Sequence, residues 1–144
     1  MPYLIGSLAL MIEETVIIQE TDSSILDILT YALESKGFNV YPLLDCGEDF
    51  MDLVEKARPH VVVLDYRLDG KRCIEICHLI KAKYPHLPVL SLSCNSNIHE
   101  EYDKHGFDDY IPKPFDLDNL YAVLRKHIPK QEAKNIVEKV SDKQ

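Results

Sequence analysis

The sequence predicts a doubly wound α/β domain, with five parallel strands in one sheet and five helices on its two faces. Short apolar runs alternate five times with longer stretches whose apolar residues recur at helical spacing. The run HVVVLD, residues 60–65, has no polar alternation, as a central parallel strand covered on both faces requires. Gly or Pro punctuates most of the junctions.

Taken in order, TVIIQ (15–19) reads as the first strand. SSILDILTYALESKG (23–37) follows as an amphipathic helix, with Ile25, Leu26, Ile28, Leu29, Ala32 and Leu33 on its apolar side and Gly37 as its stop. FNVYP (38–42) is a strand expected to end at Pro42. GEDFMDLVEKA (47–57) is helical, with Phe50, Leu53, Val54 and Ala57 on one face, and Arg58-Pro59 breaks it. After the strand at 60–65, RCIEICHLIKAKY (72–84) is a helix stopped by Pro85, and LPVLSLS (87–93) is the fourth strand. NIHEEYDKHG (97–106) is a polar, weaker helix ending at Gly106, and DDYIP (108–112) is the fifth strand. DLDNLYAVLRKHI (116–128) is the last helix of the body, with Asp116 as N-cap and Pro129 as terminator. Residues 15–129 thus form the domain. Residues 1–14 read as an N-terminal extension in which Met11 would serve equally well as a start. Residues 130–144 read as a tail with Ala133, Ile136, Val137 and Val140 at helical spacing.

Composition narrows the function classes. The 144 residues are 46% apolar and 28% charged, with a net charge of −8, which suits a soluble globular chain and provides no clustered basic face for nucleic acid. No charged segment and small-residue cleavage site mark a signal peptide, and the apolar start MPYLIGSLALMI is too short to span a bilayer. A cytoplasmic protein without a membrane partner is therefore expected. The four cysteines, Cys46, Cys73, Cys77 and Cys94, read as reduced thiols. Cys73, Cys77 and His78 share a helix side, but no second ligand pair stands at zinc-finger spacing, so core packing is the expected role.

In a doubly wound sheet, function collects at the carboxyl ends of the strands. The first strand delivers Glu20-Thr21-Asp22, the third Asp65, the fourth Ser93-Cys94, and the fifth is followed by Lys113-Pro114-Phe115. A buried strand that ends in a carboxylate needs a partner for it. Gathered carboxylates repel one another, and a hard divalent cation relieves the repulsion. A carboxylate beside such a cation and a lysine can act as a nucleophile toward a phosphoryl group. Each residue also has a plainer reading: Glu20 and Asp22 as helix-start acids, Ser93 as a strand-end residue, Lys113 as a surface lysine. The coincidence of all of them at strand ends is what carries weight.

VVVLDYRLDG (61–70), LPVLSLS (87–93) and DDYIPKPF (108–115) together make the chain resemble the receiver domain of two-component response regulators over about residues 15 to 128. The resemblance implies a flavodoxin-like receiver fold and a phosphoryl group accepted from a histidine kinase or histidine phosphotransfer protein. It implies Asp65 as phospho-acceptor, Ser93 as the hydroxyl that contacts the phosphoryl group and Lys113 as its cationic partner. It implies Tyr110 as the aromatic that moves inward with Ser93, and a cis Lys113-Pro114 bond. Glu20, Asp65 and the backbone carbonyl of Arg67 would hold Mg²⁺, with Asp22 as a substitute ligand. Two departures stand out. The family has a second acid where this chain has Thr21, which removes one carboxylate and weakens Mg²⁺ binding. After Asp65, Asp69 replaces a Pro and Arg72-Cys73 replace an Asp-Gly pair, which places Arg67, Lys71 and Arg72 near the site.

The expected function is a single-domain receiver without its own enzymatic output. It would signal to a downstream protein through the face formed by residues 97–106, 108–112 and 116–128, a face that also leaves homodimerisation open. The alternative is a pseudo-receiver that binds proteins without being phosphorylated, favoured by Thr21 and the altered loop. A flavin- or nucleotide-binding reading is disfavoured, because QETDSS (19–24) is acidic and has no glycine with which to cradle a phosphate.

Overall fold

The computed structural model describes residues 13–67, 70–94 and 97–129. Its elements alternate as β1 (Thr15–Gln19), α1 (Ser23–Ser35), β2 (Asn39–Leu43), α2 (Phe50–Ala57), β3 (Val61–Asp65), α3 (Lys71–Lys83), β4 (Val89–Ser93), α4 (Ile98–Glu101), β5 (Asp109–Pro112) and α5 (Leu117–His127). The five strands form one parallel sheet in the order β2-β1-β3-β4-β5, the flavodoxin-like arrangement. The order reverses between β1 and β3, so the carboxyl edge between those strands is where a site is expected.

Alternation along the buried strands divides the core into two layers. Val16, Ile18, Val61, Val63, Leu90 and Leu92 point to one side, where Leu26, Leu29 and Leu33 of α1 and Leu120 and Leu124 of α5 cover them. Ile17, Val62, Leu64 and Val89 point to the other, under Phe50 and Val54 of α2, Ile76 and Ile80 of α3 and Ile98 of α4. Cys73 and Cys77 are free thiols buried in this second layer, in the packing role the sequence predicts.

Local signals account for most boundaries. The Asp22 carboxylate accepts from the backbone N–H groups of Ser24 and Ile25 and caps α1. Gly37, at φ 92°, lets the N–H groups of residues 37 and 38 return to the carbonyls of Glu34 and Leu33 and close α1. Asp116 caps α5 by accepting from Asn119 N–H at 2.6 Å.

Most boundaries shift by one or two residues from the sequence reading, and three differences have a physical reason. The strand β2 runs through Pro42 to Leu43, because it is the sheet edge, where a missing N–H can be tolerated. Helix α2 begins at Phe50 rather than 47, after a turn in which Phe50 N–H meets the Gly47 carbonyl. Helix α4 is a single turn, with residues 102–106 in turns. Only Ile98 is buried on it, so little packing holds a longer helix. Glu14, assigned by sequence to the extension, is tied into the body. Its carbonyl accepts from Asn39 N–H and its carboxylate pairs with Arg125. The proposed tail at 130–144 and residues 1–12 lie outside the described residues.

One buried hydroxyl lacks a partner. Ser91 Oγ, on fully buried β4, makes no hydrogen bond among the described residues. Removing an unsatisfied buried polar atom should not destabilise the fold. Ser91→Ala is expected to be neutral or to stabilise by up to about 1 kcal/mol, as read by urea denaturation with an unchanged slope.

Candidate functional site

Sheet register brings the strand ends together. Gln19 pairs with Leu64, which sets Glu20 beside Asp65. Asp65 pairs with Leu92, and Ser93 pairs with Pro112, the residue before Lys113. Glu20, Asp65 and Ser93 are all buried polar residues at the same edge. The Lys113-Pro114 bond is cis, as the resemblance implied, and Lys113 N–H donates to the Ser93 carbonyl at 2.7 Å.

Lys113 bridges the two carboxylates. Its Nζ lies 2.9 Å from Asp65 Oδ1 and 2.6 Å from Glu20 Oε2. The contact to Asp65 is a formed hydrogen bond, whereas Glu20 Oε2 is an ion-pair partner without an aligned donor. Burial alone would lower the lysine's pKa. Its hydrogen-bonding contacts and the attraction of Glu20 and Asp65 outweigh burial and hold the ammonium above the usual lysine range. Lys113 is therefore charged at neutral pH.

Asp65 is held on every side. Oδ2 accepts from the Thr21 hydroxyl at 2.7 Å and from Thr21 N–H at 3.2 Å. Its backbone N–H donates to Gln19 Oε1, and Gln19 Nε2 donates to the Leu44 carbonyl, so one buried glutamine ties β3 to the exit of β2. The sequence reading named neither contact. A glutamine ending the otherwise apolar stretch VIIQ was the available signal. Glu20 Oε1 accepts from Asp22 N–H.

The loop after β3 packs inward. Tyr66 is buried, and its ring sits where a Cβ on Gly70 would fall, at 2.2 Å, while Gly70 itself has φ 71°. Glycine is therefore required there for both space and conformation. Gly70 N–H donates to the Arg67 carbonyl at 2.9 Å. Two clefts meet at Asp65. One, of about 680 Å³, is lined by Glu20, Thr21, Asp22, Arg67, Cys94 and Lys113 among others. The other, of about 470 Å³, includes Gln19, Cys46, Arg67, Lys71 and Arg72. Arg72 crosses it by donating to the Cys46 carbonyl at 2.8 Å, so the expected basic residues do stand near the site. Tyr110 is half-buried on β5, its ring 5.0 Å from that of Tyr102.

Residues 16–125 match the response regulator receiver domain family. The chain belongs to that family. Among solved structures, a CheY-like receiver domain protein from Methanospirillum hungatei superposes with a TM-score of 0.72 at 20% identity, over 85% of this chain and 98% of that one. The BeF3-activated receiver domain of DrrB matches at 30% identity and TM-score 0.69, over 83% of this chain and all (100%) of that one. DrrB is an OmpR/PhoB homologue from Thermotoga maritima. TrrA from the same organism, solved with Mg²⁺-BeF, matches at 19% identity and TM-score 0.69, over 79% of this chain and 98% of that one.

This receiver's donor set is poorly suited to Mg²⁺, which demands near-octahedral oxygen ligands. Among the described residues no three His, Cys, Asp or Glu side chains converge on a point. Asp22 Oδ1 is committed to capping α1, both Asp65 oxygens already accept donors, and the Arg67 carbonyl accepts from Gly70. Glu20 and Asp65 with Lys113 leave one net negative charge. The residues present do not fit a tight divalent site.

Three outcomes are expected. Lys113→Met leaves two buried carboxylates without their cation and should cost about 3 kcal/mol of stability in denaturant melts at pH 7. The thiols supply a pH test. Burial pushes Cys46 up to about 11 and Cys77 up to about 12, and raises Cys73 as well. These three stay protonated at pH 8, and Cys94 is the exposed thiol, so a thiol reagent should find one fast-reacting cysteine in the folded receiver. Above the usual thiol value of 9.0, the unfolded chain releases protons that the folded chain keeps, so stability should fall as pH rises. Lys113 acts in the same direction at higher pH. Its raised value adds stability below the ordinary 10.5, and this is lost as pH climbs through the folded value.

Proposed function

We propose that this receiver accepts a phosphoryl group on Asp65 from a phosphohistidine of a histidine kinase or histidine phosphotransfer protein. The observation that carries this is the buried Asp65 carboxylate at the end of β3, with the charged Lys113 Nζ 2.9 Å from Oδ1. The Asp65 oxygen attacks phosphorus, the P–N bond to the donor histidine breaks, and its electron pair leaves on a ring already protonated at the other nitrogen, so that neutral imidazole departs. Lys113 neutralises charge developing on the phosphoryl oxygens. Ser93, buried at the end of the next strand, supplies the hydroxyl that contacts the phosphoryl group, and Tyr110 follows Ser93 inward. The chain catalyses its own phosphorylation and dephosphorylation to that extent and no further reaction.

The output is a protein contact on the α4–β5–α5 face, where a shallow cleft of about 360 Å³ is lined by Tyr110, Pro112, Val123 and Lys126 among others. This face is also where a homodimer would form. Among the described residues no helix is long and apolar enough to cross a membrane. A second reading, a phosphorylation-independent protein-binding module, is favoured by one observation: both oxygens of Asp65 already accept hydrogen bonds from Thr21 and Lys113.

Intact mass spectrometry after incubation with acetyl phosphate separates the two. A phosphoryl adduct on the wild-type chain, lost in Asp65→Asn, is expected. No adduct with any of several small phosphodonors, with Mg²⁺ or Mn²⁺ present, supports the second reading.

A further inference from the structure

The structure assigns Thr21 as a positioning residue whose hydroxyl occupies, at Asp65 Oδ2, the place where a divalent cation would act, so that the acceptor is organised by Thr21 and Lys113 without a metal. This rests on the reading of Asp65 as phospho-acceptor.

The geometry is specific to this side chain. Thr21 directs two donors at one oxygen: its Oγ1 lies 2.7 Å and its backbone N 3.2 Å from Oδ2. Both present the positive end of a dipole to the position from which a cation would bind that oxygen. The N-terminus of α1 starts two residues later at Ser23, with the Asp22 carboxylate as its cap, so that acid is engaged away from Oδ2. A cation at Oδ2 would have to displace the hydroxyl. An aspartate at position 21 would reverse this. It cannot donate from its ionised side chain, and it would place a third carboxylate beside Glu20 and Asp65.

The contact also divides the labour between the two oxygens of Asp65. Oδ2 is saturated by two fixed donors from one residue, whereas Oδ1 is held by the flexible Lys113 side chain. Oδ1 is therefore the oxygen assigned to attack, once Lys113 moves from it to the incoming phosphoryl oxygens. With acetyl phosphate, the Oδ1–P bond forms, the P–O bond to the acetyl group breaks, and acetate leaves with the electron pair. The charges balance without proton transfer or a further reactant.

Two readouts test this on the full chain. The first is divalent binding without chemistry, by thermal shift and calorimetry with MgCl2. Wild type should show little stabilisation at millimolar Mg²⁺, and Thr21→Asp should bind at least tenfold more tightly, with a melting temperature that rises with Mg²⁺. The second is the rate of adduct formation from acetyl phosphate in chelator. Wild type and Thr21→Ser should react alike, Thr21→Val should lose several-fold, and Thr21→Asp should become Mg²⁺-dependent. Wild-type Mg²⁺ affinity equal to that of Thr21→Asp overturns the proposal, as does a Thr21→Val rate in chelator equal to wild type. If no variant forms an adduct under any condition, the assignment of Asp65 as acceptor fails, and this proposal with it. The binding arm then still reports whether Thr21 excludes the cation.

Discussion

One ammonium between two buried carboxylates is the constraint on which the rest of this receiver depends. Lys113 reaches Glu20 and Asp65 from across the sheet, and no other cation is seen that close to either among the described residues. Each carboxylate is expensive to bury alone, and the pair would repel. The bridge makes it tolerable for strands β1 and β3 to end in acids. It also joins the segment after the last strand to the ends of the first and third at their carboxyl edge.

The sheet makes that bridge a matter of register. In parallel strands paired as β1 with β3, β3 with β4 and β4 with β5, Glu20 stands beside Asp65, Ser93 follows Leu92, the partner of Asp65, and Lys113 follows Pro112, the partner of Ser93. A one-residue slip would turn each side chain to the opposite face. The apolar alternation that assigns Val62 and Leu64 to one layer, and Val61 and Val63 to the other, therefore protects the site as well as the core. Gly70 and Tyr66 show the same economy on the far side of Asp65. A missing side chain makes room for a buried ring that holds the loop against the second layer.

Thr21 changes what such an edge can do. A receiver with an acid there gathers negative charge that a cation must offset, whereas here a neutral hydroxyl hydrogen-bonds Asp65. Asp22, the remaining acid of the segment, faces the start of α1 and stabilises the helix. The acidic segment is thus divided by position, with Glu20 paired to Lys113, Thr21 bonded to Asp65 and Asp22 capping.

Much of this was legible in the amino-acid order. Apolar runs and helical periodicity identify five strands and five helices, because burial against two layers demands those patterns. Acids and a lysine placed just after strands identify the edge, because alternation of β and α brings strand ends together. The length of α4 and the passage of β2 through Pro42 were not legible, since the first depends on how little of the segment is packed and the second on which strand is the edge. Nor could the sequence say that Thr21 donates to Asp65, that Gln19 clamps its backbone or that Lys113 touches both carboxylates. Those are contacts between residues 44 to 93 positions apart. The sequence by itself determined which groups are present and at which edge they gather. Only the tertiary structure decided their pairing, because a hydrogen bond depends on tenths of an ångström that strand register and helix packing set together.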